Sequence, residues 1–341
     1  MNFSNDLIAW YKLEKRTLPW RYDKDPYHVW ISEIMLQQTR IEAVIDYYNR
    51  FMKQLPNISS LAHIDEDELL KLWQGLGYYN RARNLKKAAI KIENEYHGVF
   101  PKNYEDIKNL PGIGEYTAGA ISSICFSEKY PAVDGNVLRV ITRLYMIDKN
   151  IDEPKTRKEV YQFLKENMPE DSGNFNEGLM ELGERICLPN GTPLCDGCPI
   201  QKYCLAYQKK CMDKYPIKNL KKEKKKENYT ILAFIYKGKI AIEKREVGLL
   251  KMMYQFPNRK GHFKKNELEK EFLKGKFIPL KPYKHIFTHI VWNIKGYIIE
   301  VDKSDDKYKW VTLEEIEEKY AIPTAFKPVL KDIRRYLNDS K

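Results

Sequence analysis

Residues 110–119 read LPGIGEYTAG, and an apolar run separates them from PAVDGNV at residues 131–137. Gly112 and Gly114 stand one residue apart, after a proline and before a helix-forming run. Glycines permit a tight turn whose backbone N–H groups approach a ligand closely, and the following helix directs its positive N-terminus to the same place. The stretch therefore predicts a phosphate-binding hairpin between two helices. An ordinary turn between packed helices is the alternative.

Two carboxylic acids lie in apolar sequence surroundings. Asp134 stands among small and apolar residues in the loop that opens the next helix, and Glu33 lies inside a helical pattern that begins at Asp25. Three of the four neighbours of Glu33 at helical spacing are apolar, so we expect its carboxyl group to be partly buried. Burial raises the pKa of a carboxyl group and would suit Glu33 to donate a proton near neutral pH. A glutamate that reaches solvent from the helix edge is the alternative.

The composition of the whole chain bounds the class of protein. The chain has 341 residues, enough for two or three domains, and its 59 Lys and Arg exceed its 47 Asp and Glu to give a net charge of +12. A pI near 9.1 favours a polyanionic partner, and DNA, RNA and an anionic membrane surface all remain open. The first residues lack the layout of a signal peptide, and no apolar run has membrane-spanning length. We therefore expect no insertion into a membrane and a cytoplasmic location, at the nucleoid if the source is bacterial.

Hydrophobic periodicity divides the chain into a helical part and a mixed part. Helical patterns dominate residues 1–210, and a lysine-rich stretch without periodicity follows them. The predicted elements beyond it are strands at 229–236, 240–244, 285–301 with a break at Gly296, and 310–311, and helices at 266–274 and 313–320.

These patterns predict a multidomain fold. Residues 1–208 form a mainly α domain, residues 209–228 form a lysine-rich linker, and residues 229–341 form a smaller α+β domain.

Four of the six cysteines predict a metal site. Cys187, Cys195, Cys198 and Cys204 are separated by seven, two and five residues, in a loop at 187–204. In a reducing compartment such a cluster indicates metal ligation and not disulfides. A zinc ribbon usually has two Cys-x2-Cys pairs, and here there is one, which favours a cubane 4Fe-4S cluster. We expect Cys125 and Cys211 to be non-ligands, with Cys125 in the core.

Two further stretches combine polar, basic and aromatic side chains. Residues 37–40 read QQTR and end a helical segment with side chains that can hydrogen-bond bases. Residues 72–83 place Tyr78 and Tyr79 between glycines and arginines, which suits stacking on bases and contact with phosphates. Tyrosines that fill the core are the alternative.

These motifs together resemble the MutY family of adenine DNA glycosylases, within the helix-hairpin-helix glycosylase superfamily. The resemblance covers the first 205 residues, and residues 229–341 resemble the Nudix-like C-terminal domain of the same family. It is carried by Trp20 and Arg21, WISEIMLQQTR at 30–40, GLGYY at 75–79, LPGIG at 110–114, AVDGNV at 132–137 and the four cysteines.

The resemblance implies a monofunctional enzyme of base excision repair. Its substrate would be double-stranded DNA with adenine opposite 8-oxoguanine or guanine, and the adenine would be flipped out of the helix before its N-glycosidic bond is hydrolysed. The 4Fe-4S cluster would be held by the four cysteines. We expect the protein to act as a monomer.

The resemblance also assigns roles to residues at matching positions. Glu33 would protonate adenine at N7 and later activate water, and Asp134 would stabilise the sugar cation, a division of labour that also operates in glycoside hydrolysis. Tyr116 and Asn136 would line the active site. The predicted DNA- and base-binding residues are Trp20 and Arg21 in the adenine pocket, Leu36, Gln38, Thr39 and Tyr78 along the DNA and the opposite base, Gly112 and Gly114 at phosphate, and Phe287, Thr288 and His289 at 8-oxoguanine.

Three departures from the family pattern stand out. The first cysteine gap is one residue longer than the usual six, and we expect the extra residue at Asn190–Gly191 to bulge outward. Thr288 replaces the usual serine. MYQFP at residues 253–257 replaces LWEFP, which predicts a changed surface of the second domain.

Three other functions compete with this interpretation. An endonuclease III-like glycosylase with AP lyase activity shares the hairpin and cluster, but it places a Schiff-base lysine where this chain has Tyr116. A nucleotide pyrophosphatase needs an arginine and paired glutamates, and residues 314–318 (EEIEE) lack the arginine and the upstream glycine. A non-catalytic DNA-binding module would not need both Glu33 and Asp134.

Overall fold

In the computed structural model, which describes residues 3–220, 223–271 and 275–339, the chain up to Gln208 is almost entirely helical, as predicted. Asp25 caps a helix by accepting a hydrogen bond from the backbone N–H of Tyr27, and Pro26 occupies the first turn. The helices are α1 (Ser4–Glu14), α2 (Pro26–Leu36), α3 (Ile41–Gln54), α4 (Ile58–His63), α5 (Glu66–Leu72), α6 (Asn80–Tyr96), α7 (Tyr104–Lys108), α8 (Glu115–Phe126), α9 (Gly135–Tyr145), α10 (Pro154–Glu166), α11 (Ser172–Arg185) and α12 (Leu205–Gln208).

Packing divides the chain into two units. The helical unit contains residues 1–63 and 84–220, and the mixed unit contains residues 64–83 and 221–341. The predicted domain boundaries at 208 and 229 stay a prediction, but the assignment of α5 to the mixed unit is not visible in the sequence. Among the described helices none is long and apolar enough to cross a membrane.

The mixed unit is built on one sheet with helices packed on both faces. Strands β1 and β7 pair in parallel over eleven registered positions, and the other pairs are antiparallel. The elements are β1 (Lys225–Tyr236), β2 (Lys239–Lys244), β3 (Tyr254–Gln255), β4 (Asn258–Lys260), α13 (Lys265–Glu269), β5 (Lys276–Pro279), β6 (Tyr283–Ile286), β7 (Ile290–Glu300), β8 (Lys309–Val311), α14 (Leu313–Lys319) and α15 (Lys327–Asp339).

Alternation along β1 distributes its side chains between two cores. Ile231 and Ile235 pack with residues of α14 and α15 on one face, whereas Leu232 and Phe234 pack with Leu268 of α13 on the other. Both faces of the strand are therefore buried, which is why its sequence is apolar over most of its length.

Several sequence predictions for the mixed unit need correction. Strand β1 begins at Lys225, inside the predicted linker. Strand β7 continues through Gly296 without a break. Glycine is needed there for close pairing with β1, because a Cβ atom would lie 2.4 Å from the carbonyl oxygen of Ile231. The predicted helix at 266–274 is described only as α13, and its residues 272–274 lie outside the described chain. Residues 253–257 are buried, so the prediction of a changed surface there was wrong.

Polar contacts hold helix α5 against the rest of the mixed unit. The Asp67 carboxylate accepts hydrogen bonds from Lys244 Nζ at 2.6 Å and from the Tyr254 hydroxyl at 3.1 Å. Lys71 Nζ donates to the carbonyls of Ile316 and Tyr320, each at 3.2 Å, near the end of α14 where uncapped carbonyls favour a cation.

Candidate active site

A cavity of about 300 Å³ in the helical unit contains the predicted catalytic residues. Its walls come from the segment before α2, from α2, from the starts of α8 and α9, and from one face of α11. The lining residues that the sequence predicted are Trp20, Arg21, Glu33, Leu36, Gln38, Tyr116, Asp134 and Asn136.

Glu33 is buried on α2, with 7% of its surface exposed. The hydroxyl of Tyr116 donates a hydrogen bond to Glu33 Oε2 at 2.7 Å and also approaches the Met180 sulfur at 3.1 Å. Burial raises the pKa of Glu33 to about 7, the Tyr116 hydrogen bond opposes this shift, and the negative charges of Glu177 and Asp134 add to it. The burial of Glu33 and its raised pKa agree with the sequence prediction, and its role as a proton donor stays a prediction.

Asp134 is the N-cap of α9, so the helix start that follows Pro131 holds its carboxylate in place. Asp134 Oδ1 accepts a hydrogen bond from the Val137 N–H at 2.7 Å, and Oδ2 accepts one from Asn136 Nδ2 at 2.8 Å. Burial raises the pKa of Asp134, while these two donors and the charge of Arg139 favour the ionised form. The carboxylate is thus fixed by the backbone and by Asn136.

One wall of the cavity was not predicted from the sequence. Arg16 and four residues of α11 also line it, namely Glu177, Met180, Glu181 and Glu184. The α11 residues follow one another at spacings of three, one and three, so they share a helix face. In the sequence, Glu177, Glu181 and Glu184 recur at the helical spacing that is usual for buried apolar residues, and this signal could have identified the wall.

The predicted DNA-contacting residues are distributed over both units. Thr39, Gly112 and Gly114 belong to the helical unit but do not line the cavity, and Tyr78 belongs to the mixed unit. Gln38 and Tyr78 are both exposed and have φ angles of +62° and +47°. Residues other than glycine seldom adopt this left-handed backbone conformation, and such backbone strain often marks a binding residue.

The glycine turn between α7 and α8 has the predicted hairpin shape. Gly112 has a φ of +80°, and a Cβ atom there would lie 2.6 Å from the Asn84 Cβ, so both backbone and packing require glycine. Gly114 is the N-cap of α8, and both glycines are exposed. The N-terminus of α8 therefore lies next to the exposed backbone of Gly112 and Gly114.

Phe287, Thr288 and His289 form the turn between β6 and β7 in the mixed unit. Phe287 packs edge-on against Trp292, with ring centroids 4.8 Å apart, whereas Thr288 and His289 are exposed. The hydroxyl of Thr288 is hydrogen-bonded to the hydroxyl of Tyr78. Two predicted DNA-binding positions that lie 210 residues apart in sequence are thus in contact.

The four predicted metal ligands line one small apolar cavity, which neither Cys125 nor Cys211 lines. Burial raises the pKa of Cys198 to about 12, and Arg143 Nη1 lies 3.2 Å from Cys187 Sγ, so a positive charge stands beside the thiols. Over the described ranges no three Cys, His, Asp or Glu side chains converge closely enough to hold a single metal ion. Gly191, in the longer first gap, is exposed with a φ of +72° and open space around it.

Known proteins share both parts of this architecture. Residues 31–170 match the model of the HhH-GPD superfamily base excision DNA repair proteins, and residues 230–332 match the NUDIX domain model. A thermostable thymine-DNA glycosylase superposes with a TM-score of 0.56 and 30% identity, covering 61% of this chain and 96% of that one. An endonuclease III–DNA complex has a TM-score of 0.52 at 23% identity, over 61% of this chain and 97% of that one, and shows the shared fold. The helical unit is thus that of a helix-hairpin-helix base excision repair protein.

Relatives define the family more narrowly. An adenine DNA glycosylase of Buchnera aphidicola is 35% identical over 98% of this chain and 98% of its own length. The human adenine DNA glycosylase is 40% identical over 61% of this chain and 40% of its own length. The chain belongs to the adenine DNA glycosylase family.

Proposed function

We propose that the protein hydrolyses the N-glycosidic bond of adenine mispaired with 8-oxoguanine or guanine in double-stranded DNA. The observation that carries this proposal is the cavity that joins a buried proton donor, Glu33 with Tyr116, to a fixed carboxylate, Asp134 with Asn136. Membership of the adenine DNA glycosylase family supports the same substrate.

The chemistry follows from the two carboxyl groups. Adenine is a poor leaving group until it is protonated at N7, and Glu33 carries the proton that is needed near neutral pH. Bond cleavage leaves positive charge on the sugar, which the Asp134 carboxylate stabilises. Glu33, now ionised, then accepts a proton from the attacking water.

The cavity also offers hydrogen-bonding groups of both kinds for the base. Arg21 Nε lies 3.3 Å from Glu177 Oε1, and both side chains line the cavity. The pair presents a donor beside an acceptor, which matches the acceptor N1 and the donor N6 amine of adenine. Guanine presents the opposite order at these positions, so the pair favours adenine.

Binding of the duplex rests on the hairpin, on the basic charge of the chain and on the mixed unit. The exposed turn at Gly112 and Gly114 and the N-terminus of α8 suit a DNA phosphate. In the helical unit we assign Gln38 and Thr39 to the base opposite adenine, and in the mixed unit we assign Tyr78 to the DNA. We propose that the enzyme acts as a monomer.

Purified protein is expected to convert adenine opposite 8-oxoguanine into an abasic site without breaking the strand. Tyr116 stands where a lyase would need an amine, so no Schiff base forms and strand breaks require hot alkali. The measurement is gel analysis of a labelled duplex with and without alkali, and a duplex with thymine opposite adenine is the control. Efficient cleavage without alkali would favour the endonuclease III-like alternative.

The cysteine cavity is proposed to hold a 4Fe-4S cluster. Cys187, Cys195, Cys198 and Cys204 all line this cavity, and four thiolates are the ligand set of a cubane cluster. The cluster would supply structural cross-linking of the loop and electron-transfer chemistry.

We expect about four irons per chain and a brown colour in the purified protein, and Cys198→Ser is expected to lose most of the iron. Metal analysis measures both, with Cys125→Ser as a control because Cys125 does not line the cavity. Stoichiometric zinc without iron contradicts the assignment.

Recognition of 8-oxoguanine is assigned to the turn at Phe287, Thr288 and His289. Thr288→Val removes the exposed hydroxyl and its bond to Tyr78, and it is expected to reduce the preference for 8-oxoguanine over guanine by about 5- to 100-fold. Thr288→Ser keeps the hydroxyl and should change little. The measurement is the ratio of single-turnover rates on the two mispairs at matched salt, and an equal loss on both would remove this turn from lesion recognition.

Point substitutions test this assignment more cleanly than truncation. A cut in the linker would also remove the partners of Asp67 and Lys71, and residues 64–83 would lose the unit on which they pack.

A further inference from the structure

Glu181 is a fully buried carboxylate at the edge of the cavity, and it is not one of the residues that the proposed chemistry uses. Its side chain on α11 has no exposed surface. Arg16 binds it with two parallel hydrogen bonds, Nε to Oε1 at 2.7 Å and Nη2 to Oε2 at 2.9 Å. Arg21 Nη2 also donates to Oε2 at 3.0 Å. One carboxylate therefore joins both arginines of the cavity wall.

This arrangement fixes the orientation of the Arg21 guanidinium. Its Nη2 contacts Glu181, its Nε lies 3.3 Å from Glu177 Oε1, and its Nη1 donates to the carbonyl oxygen of Arg16 at 3.4 Å. With all three nitrogens engaged, rotation of the planar group about its last bonds is blocked. Held this way, Arg21 keeps one defined edge toward the cavity.

The charge balance explains why the carboxylate stays ionised although it is buried. Burial by itself would raise the pKa of Glu181, but the hydrogen bonds from Arg16 and the charges of Arg21 and Arg16 hold the pKa below its usual value. Arg185 on the same helix adds a third guanidinium, with Nη1 3.6 Å from Glu181 Oε1. A buried carboxylate with several guanidinium partners is an anchor whose geometry is set by several bonds at once.

We propose that Glu181 is a positioning residue: held in place by Arg16, it locks Arg21 in the orientation that holds the flipped adenine with its N7 at the Glu33 carboxyl group. The inference rests on the proposed function and adds a residue to it. Glu181 acts through Arg21 and does not touch the base.

A change at Glu181 is expected to leave the fold intact. Arg16 retains an ion pair with Glu184, at 2.6 Å, and Arg21 retains Glu177. Both arginines thus keep a negative partner, but they can turn toward it and away from their present orientation. The loss should therefore fall on the alignment of the base and not on stability of the unit.

The test is Glu181→Gln, which keeps the shape and removes the charge. On adenine opposite 8-oxoguanine its single-turnover rate is expected to fall about 30-fold, the effect of losing the one charge-assisted hydrogen bond that reaches Arg21. Affinity for a duplex that already carries an abasic site should stay within about threefold, because no base occupies the cavity. The matched control is Glu159→Gln on α10, which breaks an exposed ion pair between Glu159 and Lys149. It should leave the rate unchanged.

A double-mutant cycle separates positioning from a general structural effect. If Glu181 acts through Arg21, adding Glu181→Gln to Arg21→Met should lower the rate by less than about threefold beyond Arg21→Met alone. Fully additive losses, or a Glu181→Gln rate within about threefold of the unmodified protein, overturn the inference. If the glutamine variant fails to fold, Glu181→Asp keeps the charge but shortens its reach, and an unchanged rate for that variant overturns the inference equally.

The two proposals fail in different ways. An unmodified protein that releases no adenine from any mispair contradicts the proposed function. An active protein whose Glu181 variants are equally active contradicts only the role of Glu181.

Discussion

Replacing Glu33 with glutamine is expected to lower the single-turnover rate of adenine release by about 10³-fold while duplex affinity stays within a few-fold. The amide keeps the shape and can still accept the Tyr116 hydrogen bond, but it cannot give a proton to adenine. Rapid-quench measurement of the rate, together with a binding assay on the same mispair, checks the expectation. A near-normal rate would remove Glu33 from the chemistry.

The pH dependence follows from the same group. Because burial raises the pKa of Glu33 to about 7, the protonated acid is present below that pH and is lost above it. The rate should fall about tenfold per pH unit above pH 7. The Tyr116 pKa is raised well above its ordinary value, mainly by burial, so its hydroxyl remains a donor over this range.

Stability gives an independent check on the Glu33 pKa. The carboxyl group is raised from an ordinary value of 4.5 to about 7, so the folded state favours the proton and is penalised once the group ionises. Above pH 7 glutamine should therefore raise the free energy of unfolding by about 3 kcal/mol, and below about pH 4.5 the gain should vanish. Denaturant melts at pH 8 and pH 4 measure it, and equal gains at both would contradict the assigned pKa.

Replacing Asp134 with asparagine is expected to lower the rate by about 10²- to 10³-fold, the usual effect of removing one charge-stabilising group. Asparagine is as good an N-cap as aspartate, so α9 should keep its start and the fold its stability. The loss then reports the missing negative charge beside the sugar. The measurement is the single-turnover rate on adenine opposite 8-oxoguanine.

Asp25→Asn is the matched control for this substitution. Asp25 is the N-cap of α2 in the helical unit, just as Asp134 is the N-cap of α9, and it accepts a hydrogen bond from the Tyr27 N–H. It should leave the rate within about twofold of the unmodified protein. If the Asp25→Asn and Asp134→Asn variants lose activity equally, the Asp134 effect comes from helix capping and not from the charge.

Local sequence determined the elements that carry the site. A turn with glycines at 112 and 114, a cap at Asp25–Pro26 and apolar neighbours at helical spacing around Glu33 each depend on residues a few positions apart. Their conformations and burial were therefore predictable without knowledge of the rest of the chain. The four cysteines lie within one loop, so their common cavity follows from short spacing as well.

Only the tertiary structure decided how distant segments meet. Glu181 reaches Arg21 across 160 residues, and Asp67 reaches Lys244 across 177. Such pairs depend on which helix faces pack together, and a residue pattern specifies that a face is buried but not what covers it. For the same reason the burial of residues 253–257, the need for glycine at 296 beside β1 and the placement of residues 64–83 in the mixed unit became visible only in the folded chain.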